Sequence, residues 1–261
     1  MILAATIWFI TIVTTVVFAG RFWWFPESVS AHGDALDRQF VITLAVTGVI
    51  FILAQVALGY LILKYRDRPG AKAQYNHGNN RIEAIWTIAT TVLFYIMVLP
   101  GQWTWADIHI NQQQGNPLVI EVMGQQFVWN IRYPGPDGQF GPTRPELISD
   151  SRGNQMGVDF DDPAGRDDLV LPTMAIPVNR PIELRLQSKD VIHSFFVREL
   201  RIKLDTVPGL TIPLRFTATK TGSFEIACAE LCGLGHHRMR SFIEVLSEQD
   251  YQAWLRDMTE D

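Results

Sequence analysis

Long uncharged stretches dominate the first hundred residues of the chain and are missing from the rest. Residues 2–20 form one uncharged run of nineteen residues, and residues 40–63 form another of twenty-four. A third run, residues 82–100, contains a single charge, Glu83, close to its start. Each run is about long enough to cross a hydrocarbon core of roughly 30 Å as a helix. The pattern therefore predicts three membrane-spanning helices.

The first run could instead be a secretory signal peptide. It has no charged segment ahead of it, and its apolar part is long for a signal, although Val-Phe-Ala-Gly at residues 17–20 faintly resembles a cleavage site. We interpret it as an uncleaved helix. Residues 1–36 then form an extra N-terminal helix with its outer loop, ahead of a transmembrane hairpin formed by residues 37–106.

The loops between the runs predict how the helices are oriented. Residues 64–81 contain five basic residues and one acid, and loops enriched in Lys and Arg stay cytoplasmic. Residues 21–38 are not enriched in basic residues, and their Trp23 and Trp24 suit the interface with the membrane. The chain is therefore expected to start inside, to cross three times and to export its C-terminal half.

After residue 105 the pattern changes to short runs with β character. Gly and Pro clusters separate these runs, and this arrangement indicates a β-sandwich or barrel for residues 107–261. The runs are residues 118–122, 127–133, 182–186, 212–216, 223–226 and 241–245. A short helix from Asp250 is expected to close the chain.

A long polar stretch, residues 134–172, interrupts this series. It is rich in Gly, Pro and Asp, but it lacks the regular spacing and trailing Glu of a calcium loop. We interpret it as a solvated surface insertion, with a part in an acidic docking face as the alternative. Among its residues are Asp159, Asp161, Asp162, Asp167 and Asp168.

Charge is distributed unevenly between the two parts of the chain. Residues 1–105 carry seven Lys and Arg against five Asp and Glu, a net charge of +2. Residues 106–261 carry fifteen against twenty-two, a net charge of −7. An acidic exported half argues against binding to nucleic acid, whose phosphates require a basic surface. It favours a basic partner protein.

The candidate chemistry lies in one segment of twelve residues, 228–239. It contains the only two cysteines of the chain, Cys228 and Cys232, followed by His236 and Met239. Soft sulfur ligands and imidazole suit copper, and a His/Cys set with a weak axial Met is typical of electron-transfer copper. A mononuclear site needs only one thiolate, whereas two thiolates on one loop can bridge a pair of copper ions. The alternative is a disulfide, which exported domains often contain.

The sequence Cys-Ala-Glu-Leu-Cys-Gly-Leu-Gly-His-His-Arg-Met at residues 228–239, with Asp-Val-Ile-His-Ser-Phe at residues 190–195, resembles subunit II of the haem-copper cytochrome c oxidases. That resemblance implies the binuclear copper centre CuA. The implied ligands are Cys228, Cys232, His193, His236, Met239 and the backbone carbonyl of Glu230. It also implies a magnesium site at the Glu230 carboxylate, facing the large catalytic subunit. The implied fold class is membrane α plus all-β, with a cupredoxin-like Greek-key sandwich after the transmembrane helices.

Two further strings resemble the same family. Asn80-Arg-Ile-Glu83-Ala-Ile-Trp-Thr places Glu83 where the family has the mouth of a proton pathway. The alternative is an acid stabilised by the dipole of the first helical turn, although an acid at the start of a membrane span is a functional candidate by default. The family's surface Trp for incoming electrons corresponds to Phe127, and Trp129 lies two residues on; the alternative for both is a core aromatic.

The resemblance implies a subunit that accepts electrons outside the membrane through CuA and passes them to haem in subunit I, where dioxygen is reduced to water. Its partners would be subunit I, other oxidase subunits and cytochrome c or another basic donor. Its location would be the bacterial inner membrane, with the C-terminal domain on the periplasmic side. One alternative is the CuA subunit of a nitric oxide reductase. A second is a copper-delivery or thiol-redox assembly factor, against which the β-rich second half and Met239 argue.

Overall fold

Three long apolar helices form the N-terminal part of the chain in a computed structural model that describes residues 1–21, 24–70, 72, 75, 77–111 and 116–260. They are α1 (Ile2–Ala19), α2 (Gly33–Lys64) and α3 (Asn80–Ala106). All three are long and apolar enough to cross a membrane, which confirms the predicted spans. The second and third helices extend beyond the uncharged runs because polar residues continue a helix outside hydrocarbon. Trp23, predicted at the interface, lies outside the described residues.

The chain divides into two compact units. Met1–Phe25 and Ala35–Trp105 form the first, and Pro26–Asp34 and Ala106–Asp261 form the second. The loop that follows α1 therefore packs with the soluble residues. The Val29 backbone N–H donates to the Glu199 carbonyl at 2.9 Å, and the Thr219 N–H donates to the Val29 carbonyl at 2.8 Å. Val29 itself is buried in the hydrophobic core.

The second unit is a sandwich of two five-stranded sheets. One sheet has the order β3-β2-β1-β5-β8 and the other β4-β10-β9-β6-β7. Two pairs, β1 with β5 and β4 with β10, are parallel, and the remaining pairs are antiparallel. The strands are β1 (Leu118–Gln125), β2 (Val128–Tyr133), β3 (Leu169–Leu171), β4 (Met174–Pro177), β5 (Pro181–Ser188), β6 (His193–Val197), β7 (Ile202–Thr206), β8 (Ile212–Thr217), β9 (Gly222–Cys228) and β10 (Arg240–Leu246).

Alternating apolar residues direct one face of each predicted strand into the core. Along β5, for example, Ile182, Leu184 and Leu186 are buried and their neighbours are not. The predicted sandwich is confirmed, but four strands, β3, β4, β6 and β7, were missed. The closing helix is also present as α4 (Glu248–Glu260), and Ser247 caps it by accepting the Asp250 N–H at 3.1 Å.

The insertion is not a fully solvated loop, so that part of the prediction was wrong. Met156 and Val158 are buried and pack with Met123 in a second hydrophobic cluster. Asp168, predicted to lie in a solvated loop or an acidic docking face, is buried and forms an ion pair with buried Arg132. A buried carboxylate requires such a partner, because desolvation of an unpaired charge is costly.

Candidate metal centre

Two neighbouring strands bring the candidate ligands to one end of the sandwich. His193 opens β6, Cys228 ends β9, and these antiparallel strands pair with Phe195 opposite Cys228. The segment between β9 and β10, residues 229–239, is called the metal loop below. Its two ends are held together, because the Cys228 N–H donates to the Met239 carbonyl at 3.1 Å. The loop is therefore closed on itself above the core.

Sulfur atoms form the middle of the cluster. The two thiol sulfurs lie 3.8 Å apart, and the Cys232 sulfur lies 3.8 Å from the Met239 sulfur. The Glu230 backbone oxygen lies 3.2 Å from the Cys228 sulfur. Both cysteines are free. A disulfide would bring its sulfurs to about 2.05 Å, so the disulfide alternative does not describe this structure.

Each imidazole faces a different sulfur. His193 Nδ1 lies 4.0 Å from the Cys228 sulfur, and His236 Nδ1 lies 3.7 Å from the Cys232 sulfur. His193, Cys228 and Cys232 also form a group whose ligand atoms all lie within 4.8 Å of one another. Two imidazoles, two thiols and a thioether are the soft donors that copper prefers. The residues therefore fit a copper centre, and their separate imidazoles fit a pair of ions.

The cluster is shielded from water. His193, Cys228, Cys232 and Met239 are buried, whereas His236 is partly exposed and His237 is exposed. Burial and the neighbouring Cys228 thiol raise the pKa of Cys232 to about 11. The metal-free thiol thus carries its proton at neutral pH, and metal binding has to release it.

Asp190 orients the His193 ring. Its carboxylate accepts from His193 Nε2 at 2.8 Å and from the Gln126 backbone N–H at 2.8 Å. Burial opposes ionisation, but the hydrogen bonds from Gln126, His193 and Val191 outweigh it and lower the pKa of Asp190. A carboxylate on the outer nitrogen fixes which ring nitrogen faces a metal. Sequence reasoning missed this role, although an acid three residues before the candidate histidine was its signal.

The two predicted aromatic residues occupy different environments. Phe127 lies in the turn between β1 and β2, and its half-buried ring packs on the backbone of the metal loop: a Cβ at Gly235 would lie 2.3 Å from that ring. Gln126, which sequence reasoning also missed, donates from its side chain to the Cys232 carbonyl at 2.5 Å. Trp129 is buried, with its ring centroid 5.6 Å from that of Phe195 and 6.1 Å from that of His193.

The side-chain carboxylates of Glu230 and Glu83, both predicted to be functional, lie outside the sulfur cluster. Glu230 is exposed and contributes its backbone oxygen to the cluster. Within the part of the chain that the structure describes, no group of three His, Cys, Asp or Glu residues that could hold a metal includes Glu230. Glu83 is exposed in the first turn of α3, which belongs to the first unit.

Comparison with known proteins identifies related chains. The family model described as cytochrome C oxidase subunit II, periplasmic domain, matches residues 118–246, and the corresponding transmembrane-domain model matches residues 17–101. The alternative cytochrome c oxidase subunit 2 of Bradyrhizobium diazoefficiens is 34% identical over 235 residues, covering 89% of this chain and 83% of that protein. Cytochrome c oxidase subunit 2 of Thermostichus vulcanus is 29% identical over 287 residues, covering 97% and 85%. Among solved structures, the periplasmic domain of subunit II of cytochrome oxidase from Bradyrhizobium japonicum is 27% identical, with a TM-score of 0.42, covering 56% of this chain and 96% of that one.

Proposed function

The chain belongs to the cytochrome c oxidase subunit II family, and on that premise we propose that it accepts electrons from a cytochrome c-type donor and passes them to haem in subunit I. It is a membrane-bound subunit of an oxidoreductase complex, with a soluble C-terminal domain. Family membership together with the His and Cys cluster supports copper binding. The proposal adds the CuA centre, the donor and the direction of electron flow.

One observation carries the proposal: the predicted donor atoms form one cluster in which each thiol has its own imidazole. We assign two copper ions to Cys228, Cys232, His193, His236, Met239 and the Glu230 carbonyl. When bound, copper supplies one-electron redox chemistry. Around it, Asp190 holds the His193 ring, and the buried sulfurs exclude water from the centre. A rigid, dry site loses little energy to reorganisation when its charge changes.

Phe127 and the exposed part of the metal loop form the proposed point of electron arrival. The ring packs directly on the loop backbone, and Gln126 fastens the same turn to Cys232. The net charge of −7 on residues 106–261 favours a basic donor by electrostatic steering. Buried Trp129 lies beside His193 within the core. We assign it a packing role and keep it as a secondary candidate on the electron path.

Two assignments depend on partner subunits. We propose that the exposed Glu230 carboxylate contributes to a magnesium site shared with subunit I, because the described residues of this chain do not complete one. Other oxidase subunits would surround the helices. The relatives are named as cytochrome c oxidase subunits, so the nitric oxide reductase alternative is not favoured. A β-sandwich with one cysteine at the end of β9 and the other in the metal loop also differs from the thioredoxin-like fold of assembly factors.

Replacing Phe127 with leucine should slow reduction of the copper centre by reduced cytochrome c, because the aromatic contact to the metal loop is lost. Stopped-flow absorbance of the copper-loaded full-length chain would measure this rate. Copper content should stay unchanged, and Val128→Ala, next to it and half exposed, serves as the control. No reduction of the wild-type centre by the donor would contradict the proposed function.

The basic loop between α2 and α3 should lie in the cytoplasm, and the C-terminal domain should lie in the periplasm of a bacterial inner membrane. The excess of Lys and Arg in residues 64–81 is the reason. Reporter fusions within this loop and after Asp261 would give the two locations. An external loop would overturn the three-span topology.

Glu83→Gln should lower the turnover of the assembled oxidase while leaving the copper spectrum and its reduction unchanged. Asn79 already caps α3, since its side-chain oxygen accepts the N–H groups of Arg81 and Ile82 at 3.0 and 3.3 Å. A purely structural Glu83 would contribute only about 0.3–1 kcal/mol through the helix dipole. Steady-state oxygen consumption, with Asp67→Asn in the adjacent loop as control, separates the two roles. Undiminished turnover across the working pH range would show that Glu83 has only the structural role.

A further inference from the structure

Helices α1 and α2 are in contact near the start of α1 and leave open space between them towards its end. Near the start of α1, the Trp8 ring lies so close to α2 that a Cβ at Gly59 would be 2.3 Å from the indole nitrogen. At the middle of α2, a Cβ at Gly48 would meet no atom within 4 Å. Glycine thus permits contact at one end and leaves open space at the other. The space is a groove of about 720 Å3, lined on one side by described residues between Thr14 and Arg21 together with Trp24, and on the other by residues between Val41 and Ile52.

The groove is apolar along its length and cationic at one end. Its wall includes Phe18, Leu44 and Ile52. The hydroxyls of Thr14 and Thr47 donate to carbonyls of their own helices at 2.8 and 2.7 Å, so they present no unsatisfied polar group. Inside a bilayer such a surface suits hydrocarbon.

Arg21 and Trp24 mark the open end. The Arg21 guanidinium lies 5.0 Å from the Trp24 ring centre, and the side chain is exposed. Among the described residues no carboxylate forms an ion pair with Arg21. Arg and Trp are typical residues of the headgroup level of a membrane. An exposed guanidinium there matches the charge of a phosphate.

The dimensions match one leaflet. From Val41 to Ile52 a helix rises about 16 Å, which is close to half of a hydrocarbon core of roughly 30 Å. A transmembrane helix of a partner is about 10–12 Å wide and spans both leaflets. Such a helix does not match this groove, because the contact of Trp8 with Gly59 closes the half of the interface that lies in the other leaflet.

We propose that the groove between α1 and α2 binds one phospholipid of the outer leaflet, with its phosphate at Arg21 and an acyl chain along Gly48. The assignment of the lipid to the outer leaflet rests on the topology proposed above. Lipid binding itself does not depend on electron transfer. The bound lipid would fill the space that the diverging helices leave and would fix α1 to α2.

Native mass spectrometry of the assembled oxidase in mild detergent, supplied with phosphatidylglycerol, tests the site. Arg21→Gln should reduce retention of one phospholipid about fivefold, the effect of one basic residue at a membrane surface. Gly48→Phe should abolish retention by filling the groove, and a Cβ there would meet no atom within 4 Å. Matched controls are Arg38→Gln, exposed near the same end of α2, and Leu53→Phe, exposed on the same helix.

Copper and haem spectra of each variant show whether the complex is assembled, and electron transfer from donor to copper should remain unchanged in all four. Equal lipid retention in Arg21→Gln, Gly48→Phe and the wild type would overturn the proposal. So would a subunit mass that lacks α1, or a cross-link to another subunit formed by Gly48→Cys in an otherwise wild-type chain. A failure of electron transfer with the lipid retained would instead count against the proposed function alone.

Discussion

Cys228→Ser should reduce the copper content of the purified chain from the proposed two ions to at most one and should remove the expected signature of an electron shared between two metals. The reason is the position of this sulfur, which lies 3.8 Å from the Cys232 sulfur, 4.0 Å from His193 Nδ1 and 3.2 Å from the Glu230 oxygen. A serine hydroxyl is a harder and weaker donor for copper. Cys228→Ser therefore removes a sulfur that lies beside the donor atoms of three other proposed ligands, Cys232, His193 and Glu230.

Metal analysis and electron paramagnetic resonance of the full-length chain would measure this change, and oxygen consumption of the assembled complex would give its consequence. Turnover should fall by more than the roughly 10–100-fold typical of losing an outer partner of a metal ligand. His237→Ala is the matched control, because this exposed histidine belongs to the same loop but lies outside the proposed ligand set. Two copper ions in the Cys228→Ser chain, or one in the wild type, would exclude the binuclear centre.

Arg132→Ala should destabilise the second unit by about 3–5 kcal/mol, the usual effect of breaking a buried ion pair from one side. The Arg132 side chain is 1% exposed, and the Asp168 side chain is 0% exposed. The guanidinium donates to Asp168 at 3.1 Å through Nε, to Glu121 at 2.9 Å and to the Gly141 carbonyl at 2.6 Å. Alanine would leave the Asp168 carboxylate buried without its cation.

Thermal unfolding of the detergent-solubilised chain, followed by near-ultraviolet circular dichroism, measures this loss. Arg185→Ala is the control, since this half-exposed residue contacts Glu121 at 4.0 Å and such surface pairs contribute about 0–1 kcal/mol. Combining Arg132→Met with Asp168→Leu should recover much of the stability, because an apolar pair needs no compensation. Equal losses for Arg132→Ala and Arg185→Ala would show that burial of the pair has no special effect.

The features that sequence could predict depend on neighbours along the chain. The membrane helices appeared as uncharged runs, and Cys228 with the metal loop appeared as four donors within twelve residues. Strands with one buried face, such as β5, appeared by their alternation. In β4 all four residues are buried, and in β6 four of five are, so neither alternates. These two strands therefore lack the alternation of buried and exposed residues by which β5 could be predicted.

Long-range partners explain the remaining errors. Asp168 is buried because Arg132, 36 residues earlier, neutralises it. Gln126 reaches Cys232 across 106 residues and Asp190 across 64. His193 was predicted through the resemblance, whereas the hydrogen bonds that fix its ring could be seen only in three dimensions. Spacing along the chain indicates which residues can bind a metal, and the fold determines what holds them.

The docked loop after α1 has a consequence for the biogenesis of the protein. Ser30 donates to the Leu200 carbonyl across 170 residues, and Glu27 pairs with Lys220 across 193. At about 5–20 residues per second a ribosome needs roughly 10–40 s to synthesise the intervening chain. Through that interval, Pro26–Asp34 has been made but its partners have not, so its backbone groups must remain hydrated. Burial of Val29 in the sandwich core therefore has to wait until β8 and the residues that follow it, as far as Lys220, have been made.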